Sequence, residues 1–135
     1  MSSETVVQQQ TRLRAAQAGL QLWRNNSGAG RVIDDNGKER MIRWGLANDS
    51  AQLNKQIKSS DLIGITPVTA YMQSVGWCKL GVFTALEIKP SGWHLTPGDD
   101  RALAQQRFHA IVREAGGFGG FVTDPTDLDR IIRRE

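Results

Sequence analysis

The stretch Thr84-Ala85-Leu86-Glu87-Ile88-Lys89-Pro90 places a carboxylate and an ammonium group two residues apart in an otherwise apolar segment. Because side chains alternate between the two faces of a strand, Glu87 and Lys89 share one face, while Leu86 and Ile88 share the other. Charge on a buried strand is costly unless it is paired or bound to a metal. The segment therefore predicts a central strand that presents a charged pair on one face and ends at Pro90.

A second predicted strand contributes another acid. Asp61-Leu62-Ile63-Gly64-Ile65 opens with a carboxylate and follows Lys58-Ser59-Ser60. Asp61, Glu87 and Lys89 together suggest a metal site that hydrolyses phosphodiesters. The Glu-x-Lys motif taken alone is more typical of a solvated pair at a sheet edge, because charged residues are mostly exposed.

Length and composition limit the class of protein. The 135 residues predict a single domain over residues 1–135. The 17 Lys and Arg against 14 Asp and Glu give a formal net charge of +3, which is compatible with a polyanionic partner without requiring one. The single cysteine, Cys78, excludes an internal disulfide framework, and the chain has no Cys/His pattern with zinc-ligand spacing.

The chain shows no targeting or membrane signal in its sequence. Its first residues carry neither a basic region nor an apolar core, and no apolar run approaches about 18 residues. We therefore expect a cytoplasmic protein without a membrane partner, in the host-cell cytoplasm if it is phage-encoded.

Hydrophobic periodicity and turn residues predict an α/β order of elements. The first helix has an approximate apolar stripe of Val6, Val7, Leu13, Ala16 and Leu20. The predicted elements are a helix at 4–19, a strand at 20–24, a loop at 25–30, a hairpin at 31–33 and 39–44, a short helix at 48–57, strands at 61–65, 67–73 and 82–89, a helix from Asp99 or Asp100 to 115, a strand at 118–123, and a helix starting at Pro125.

These motifs, taken in order, resemble the PD-(D/E)XK nuclease superfamily and, within it, the small stand-alone VRR-NUC type of phages and bacteria. The family pattern is an acid on the first helix, an R-N-x-x-G-like turn after a strand, a D-L-I-G strand, an E-x-K strand, and a helix glutamine before an apolar residue. The matching positions are Glu4, Arg24-Asn25-Asn26-Ser27-Gly28, Asp61-Leu62-Ile63-Gly64, Glu87-Ile88-Lys89 and Gln105-Gln106-Arg107-Phe108. Ser60 departs from the pattern, which usually has proline before the aspartate.

The resemblance implies a restriction-endonuclease-like core, with a central mixed β-sheet flanked by helices, and a metal-dependent DNA endonuclease. Mg²⁺ or Mn²⁺ would be held by hard oxygen ligands. The implied metal ligands are Asp61, Glu87, the carbonyl of Ile88 and, as an outer or second-metal ligand, Glu4. Lys89 would orient or deprotonate the attacking water, or stabilise charge on the phosphate.

The same resemblance implies a role for a helix glutamine. Gln105 would hydrogen-bond a water or a phosphate, with Gln106 as the alternative register. A solvated helix glutamine is the plain structural alternative for this residue.

Basic and polar residues outside these motifs are candidate DNA contacts. Arg24 and Asn25 follow a strand and either touch phosphate or have a plain turn role. The hairpin basics either contact the DNA backbone or form a solvated face. They are Arg31, Lys38, Arg40 and Arg43.

The implied biological substrate is structured or branched DNA in replication, recombination or repair. Stand-alone members of the resembled family are dimers that cut four-way (Holliday) junctions, so a homodimer is expected, with an apolar contact on the hairpin or at the sheet edge. The alternatives are a non-catalytic DNA-binding module of the same fold and a nonspecific DNA or RNA nuclease. We expect the two histidines to be surface or core residues outside the site. The four tryptophans could stack bases, but aromatic residues on strands are usually core, so we expect them to be core residues outside the site as well.

Overall fold

Helices and strands follow the predicted order along the chain. The structure is a computed structural model that describes residues 3–133. Its elements are α1 (Glu4–Gln17), β1 (Gln21–Arg24), β2 (Gly28–Ile33), β3 (Glu39–Trp44), α2 (Ala51–Gln56), β4 (Leu62–Met72), β5 (Gly76–Ile88), α3 (Asp100–Glu114), β6 (Phe118–Val122) and α4 (Asp127–Ile132).

The central sheet is mixed and has helices on both faces, as the sequence predicted. Its strand order is β1-β4-β5-β6. The β1–β4 and β4–β5 pairs are antiparallel, whereas β5 and β6 are parallel and are connected through α3. The strand that carries Glu87 therefore lies inside the sheet, between β4 and β6.

The two faces of β5 pack against different helices. Leu86 and Ile88 belong to a core cluster with Val7 of α1 and Leu128 of α4. Ala85, on the opposite face, packs with Phe108 and Val112 of α3. Since Glu87 follows the same alternation as Ala85, α3 covers the face on which the carboxylate lies.

Several predicted boundaries shift, and each shift has a physical reason. β4 is one strand that runs through Pro67, and this is tolerated because β1 pairs only as far as Ile65, which leaves β4 as an edge beyond that point. α4 begins at Asp127 rather than at Pro125, because the Asp127 carboxylate accepts the N–H groups of Thr123 and Asp124 and so holds the preceding turn.

The apolar stripe predicted for α1 is partly wrong. The helix buries Val7, Thr11 and Ala15, which are spaced by one turn, and it exposes Val6 and Leu13. The helix is short of apolar residues at the positions that face the sheet, so a threonine fills the middle position.

The distal parts of β4 and β5 project beyond the sheet. Residues 66–72 pair only with residues 76–82, because β1 reaches only to Ile65 and β6 begins its pairing at Thr84. We call these two segments the β4–β5 arm. It exposes Tyr71 and Trp77, whose rings meet edge to face with centroids 5.5 Å apart.

Strands β2 and β3 form a separate two-stranded sheet. Their register pairs Gly28 with Trp44 and Ile33 with Glu39, so the strand starts at Gly28 inside the predicted loop. The Asn48 side chain donates to the carbonyls of Gly28 and Trp44, at 2.8 and 2.9 Å, and fastens the open end of this hairpin. Among residues 3–133, no helix has the length and apolar character needed to cross a membrane.

Candidate active site

Asp61, the residue directly before β4, lies next to Glu87 of β5, and the carboxylate of each residue accepts a hydrogen bond from the backbone of the other segment. The Asp61 N–H donates to Glu87 Oε2 at 3.0 Å, and the Ile88 N–H donates to Asp61 Oδ2 at 3.1 Å. The antiparallel register, which pairs Leu62 with Leu86, sets this crossed arrangement. The sheet itself therefore brings two carboxylates together.

Glu87 is a buried acid with little compensating positive charge. Its side chain is 5% exposed, and its Oε1 lies 4.0 Å from Lys89 Nζ. Burial, followed by the negative charge of Asp61, raises the pKa of Glu87 to about 8, while Lys89 lowers it. A cation placed beside both carboxylates would reverse this penalty.

Gln105 reaches Glu87 from α3. The helix starts at the Asp99 cap, whose Oδ1 accepts the Ala102 N–H at 3.0 Å. Gln105 is 2% exposed, and its Nε2 donates to Glu87 Oε1 at 2.8 Å, whereas Gln106 is exposed. Of the two registers considered for the glutamine, the structure places Gln105 at the carboxylate.

The oxygen of the same amide is left without a partner. Within residues 3–133, Gln105 Oε1 is buried and accepts no hydrogen bond. A buried acceptor without a donor is unfavourable by about 1–3 kcal/mol, and it marks a position for a bound donor such as water.

The Lys89 ammonium group lies close to two aromatic rings. Its side chain is 14% exposed. Nζ is 5.2 Å from the centroid of the Trp93 ring and 6.0 Å from that of Phe121. Trp93 thus contacts a predicted site residue, contrary to expectation. The core assignment is also wrong for Trp23, Trp44 and Trp77, which are exposed.

Behind the carboxylates, a buried serine and histidine form a contact that sequence reasoning missed. Ser60 Oγ lies 2.7 Å from His109 Nε2, and both residues are 1% exposed. Burial, and then the charges of Arg113 and Lys89, lower the pKa of His109 to about 4. The signal was present in the sequence, since Ser60 replaces the family's proline and His109 lies one helical turn after Gln105.

A cleft of about 400 Å³ opens beside the carboxylates. Asp61, Glu87 and Gln105 lie along its wall together with the cations Arg43, Lys58 and Arg101. The remaining lining residues are Asn25, Asn26, Ser27, Gly28, Ala29, Asn48, Asn54 and Ser59. Lys58 and Arg101 were not among the predicted site residues, although Lys58 closely precedes Asp61 and Arg101 lies one helical turn before Gln105.

The other predicted DNA contacts divide into two groups. Asn25 lines the cleft and also supports it, because its Nδ2 donates to Ser59 Oγ and to the Ser60 carbonyl, each at 2.9 Å. Arg43 lines the cleft as well. Arg24, Arg31, Lys38 and Arg40 are exposed and lie outside its lining.

Comparisons with known proteins identify no relative of this chain. No protein-family model, curated protein or solved structure matches it. The chemistry of the site therefore has to be judged from its own residues.

A divalent metal fits the donor set at the acidic end of the cleft. Two carboxylates, with water and substrate oxygens, are a common set of ligands for Mg²⁺. Burial and the charge of Asp61 raise the pKa of Glu87, and a bound cation would oppose both effects. Glu4 does not join them. It is exposed at the start of α1, and no group of three or more His, Cys, Asp or Glu able to hold a metal occurs within residues 3–133.

Proposed function

We propose that this protein is a Mg²⁺- or Mn²⁺-dependent DNA endonuclease of the VRR-NUC type, with a restriction-endonuclease-like core. The observation that carries the proposal is the pairing of the Asp61 and Glu87 carboxylates, which accept hydrogen bonds from the backbone N–H groups of Ile88 and Asp61, beside Lys89 and Gln105. The mixed sheet with helices on both faces supports the same class of fold.

Each residue of the site has a proposed task. Asp61, Glu87 and the carbonyl of Ile88 would hold the metal, which supplies an activated water and neutralises charge on the phosphate. Lys89 orients or deprotonates the water, or stabilises the charge that develops during cleavage. Gln105 fixes Glu87 through its amide N–H and keeps its oxygen for a bound donor.

The residues that line the cleft favour a substrate that binds through its sugar–phosphate backbone. It consists mainly of Asn, Ser, Gly, Lys and Arg, and contains no aromatic ring among residues 3–133. Such side chains suit phosphate and sugar oxygens, whereas stacked bases need aromatic platforms. The proposed substrate is DNA, and the preference for branched DNA rests on the family resemblance.

The proposed active form is a homodimer. One chain carries one pair of facing carboxylates, while resolution of a four-way junction needs incisions in two strands, and a twofold dimer supplies two related sites. We place the dimer contact on the β4–β5 arm. The β2–β3 hairpin already forms part of the cleft wall through Ala29 and Arg43.

A cleavage assay tests the proposed activity. Linear duplex, flap, four-way junction and RNA are incubated at equal concentration with Mg²⁺, Mn²⁺ or EDTA. We expect metal-dependent cutting of the junction by the wild type and none by Asp61→Asn, because Asn retains the shape but loses the charge of a ligand. Asp49→Asn is the matched control, since Asp49 is exposed and outside the cleft lining.

The alternatives give different results in the same assay. Tight DNA binding without cleavage under any metal would support the non-catalytic DNA-binding module. Equal cutting of linear duplex, junction and RNA would support a nonspecific nuclease.

A further inference from the structure

The cleft has a basic end that the chemistry proposed at Asp61 and Glu87 does not use. Arg43 of β3, Lys58 of the segment after α2, and Arg101 in the first turn of α3 line it together. Within residues 3–133, no carboxylate lies within ion-pair distance of any of the three. Unneutralised cations that converge on one cavity favour an anionic ligand.

The Arg43 guanidinium is held in position before any ligand binds. Its Nη1 donates to Asn48 Oδ1 at 2.8 Å. Asn48 is 3% exposed, and its amide nitrogen donates to the carbonyls of Gly28 and Trp44. A buried side chain thus uses both ends of its amide, one for the hairpin and one for the arginine. A guanidinium fixed in this way loses less conformational entropy when it binds an anion.

Lys58 is also held, and it is attached to the helix that carries Arg101. Its Nζ donates to Asn54 Oδ1, and its backbone N–H donates to the Ala104 carbonyl at 3.1 Å. Partial burial, together with the charges of Arg101 and Arg43, lowers the pKa of Lys58. The three cations therefore repel one another, and a bound anion would relieve that repulsion.

We propose that Arg43, Lys58 and Arg101, which we call the cation clamp, bind a backbone phosphate next to the phosphate that is cleaved. This inference rests on the proposed function and adds a second contact to the substrate strand. All three clamp cations lie beyond ion-pair distance of Asp61 and Glu87, whereas Lys89 lies 4.0 Å from Glu87. Lys89 therefore serves the cleaved phosphate, and the clamp holds the strand in register without reading its sequence.

Binding of a labelled four-way junction in EDTA tests the clamp without cleavage. Lys58→Gln and Arg101→Gln should each weaken binding about 10- to 150-fold, which corresponds to the loss of one charged hydrogen bond. The slope of log affinity against log salt should become less negative by about 0.9 for each variant. Lys58→Arg, which keeps the charge, should retain most of the affinity.

Two matched controls distinguish a specific phosphate site from general attraction to surface charge. Lys55→Gln changes an exposed lysine on α2 that lies outside the cleft lining, and Arg12→Gln changes an exposed arginine on α1. Both should bind within about twofold of the wild type, with the wild-type salt slope. Equal losses in the controls and in the clamp variants would overturn the inference in favour of diffuse attraction.

A titration of the wild type with inorganic phosphate tests the clamp without any substitution, so its result does not depend on whether a variant folds. In EDTA, NMR signals of the Arg43 and Arg101 Nε–H groups and of the Lys58 amide should shift together and reach saturation. The Lys55 and Arg12 signals should stay in place. The absence of saturable shifts, or equal shifts at the control residues, would overturn the inference.

The results also separate this inference from the proposed nuclease activity. If the protein cuts no substrate but its DNA binding in EDTA depends on the clamp residues, the phosphate site is supported and the proposed nuclease activity is contradicted. In a cleaving enzyme, clamp variants should raise KM and leave kcat within about threefold of the wild type. A matching fall in kcat would place the clamp on the cleaved phosphate and overturn its assignment to a neighbouring one.

Discussion

Ser60 Oγ and His109 Nε2 are 2.7 Å apart in the core, directly behind the acidic end of the cleft. His109 lies four residues after Gln105, so both side chains project from one face of α3. Gln105 bonds to Glu87, and His109 bonds to the residue that precedes Asp61. One face of α3 thus contacts both acidic segments, Glu87 directly and Asp61 through the preceding Ser60.

Removing either partner of the Ser60–His109 contact should destabilise the protein. Ser60→Ala leaves both nitrogens of a buried imidazole without partners, because His109 Nδ1 already has none within residues 3–133. We expect a loss of about 1–3 kcal/mol in the free energy of unfolding, measured by urea denaturation. Ser74→Ala, at an exposed turn, should change it by less than about 0.5 kcal/mol.

A double-mutant cycle with His109→Phe measures the coupling. The double variant should lose less stability than the sum of the single losses, because removing both polar partners leaves no orphaned group. Additive losses would mean that the two side chains do not interact in solution.

The metal-free protein should lose stability as the pH rises from about 6.5 to about 8. The pKa of Glu87 is raised from 4.5 to about 8, so the folded state binds this proton more tightly, and stability falls between those values. The pKa of His109 is lowered from 6.5 to about 4, so its contribution rises with pH between 4 and 6.5. Below pH 6.5, the two residues change the free energy of unfolding in opposite directions as the pH rises. Above pH 6.5, only the decrease due to Glu87 remains.

Glu87→Gln should remove that fall. At pH 8.5 in EDTA, the variant should be more stable than the wild type by about 4–5 kcal/mol, since it buries no charge beside Asp61. At pH 5 the two proteins should differ little, because Glu87 is then protonated. Glu114→Gln, at an exposed position at the end of α3, is the control. A wild type whose stability stays level from pH 6.5 to 8.5 would show that Glu87 titrates normally.

The sequence predicted which residues share a face of β5 better than it predicted the surroundings of the site. Alternation along Leu86-Glu87-Ile88-Lys89 is enough to place Glu87 and Lys89 on one face. This information is local. The approach of Gln105 could be expected only through the family pattern, because it depends on how α3 crosses the sheet.

The basic end of the cleft could not be predicted in the same way. Arg43, Lys58 and Arg101 are separated along the chain and meet only because Asn48 fastens the hairpin and the Lys58 segment bonds to α3. Glu4 shows the reverse error, because an acid on the first helix matched the family pattern and yet lies exposed at the start of α1. Spacing in sequence carries no information about such tertiary contacts.

Lys89→Ala should slow cleavage without removing the metal. We expect a rate lower by about 10²- to 10⁴-fold if Lys89 has its proposed role on the water or on developing charge. The apparent Mg²⁺ affinity, taken from the dependence of the rate on Mg²⁺, should stay within about threefold of the wild type. Lys55→Ala, at an exposed position on α2 outside the cleft lining, should behave like the wild type. A rate restored by saturating Mg²⁺ would instead assign Lys89 a structural role at the metal site.

The β4–β5 arm should mediate a homodimer. Trp77 is 73% exposed, and its ring meets that of Tyr71, which is also exposed, edge to face. Residues 66–72 and 76–82 each have one edge without a partner strand among residues 3–133, and unpaired edges next to exposed aromatic rings favour association with another chain.

Light scattering of the wild type at micromolar concentration should give a dimer, whereas Tyr71→Ser combined with Trp77→Ser should give a monomer that still binds phosphate at the cation clamp. Met41→Ser, on the exposed part of the β2–β3 hairpin, should leave the dimer intact. A wild type that stays monomeric both alone and with junction DNA would remove the dimer, and a dimer lost only with the hairpin variant would move the contact to the hairpin.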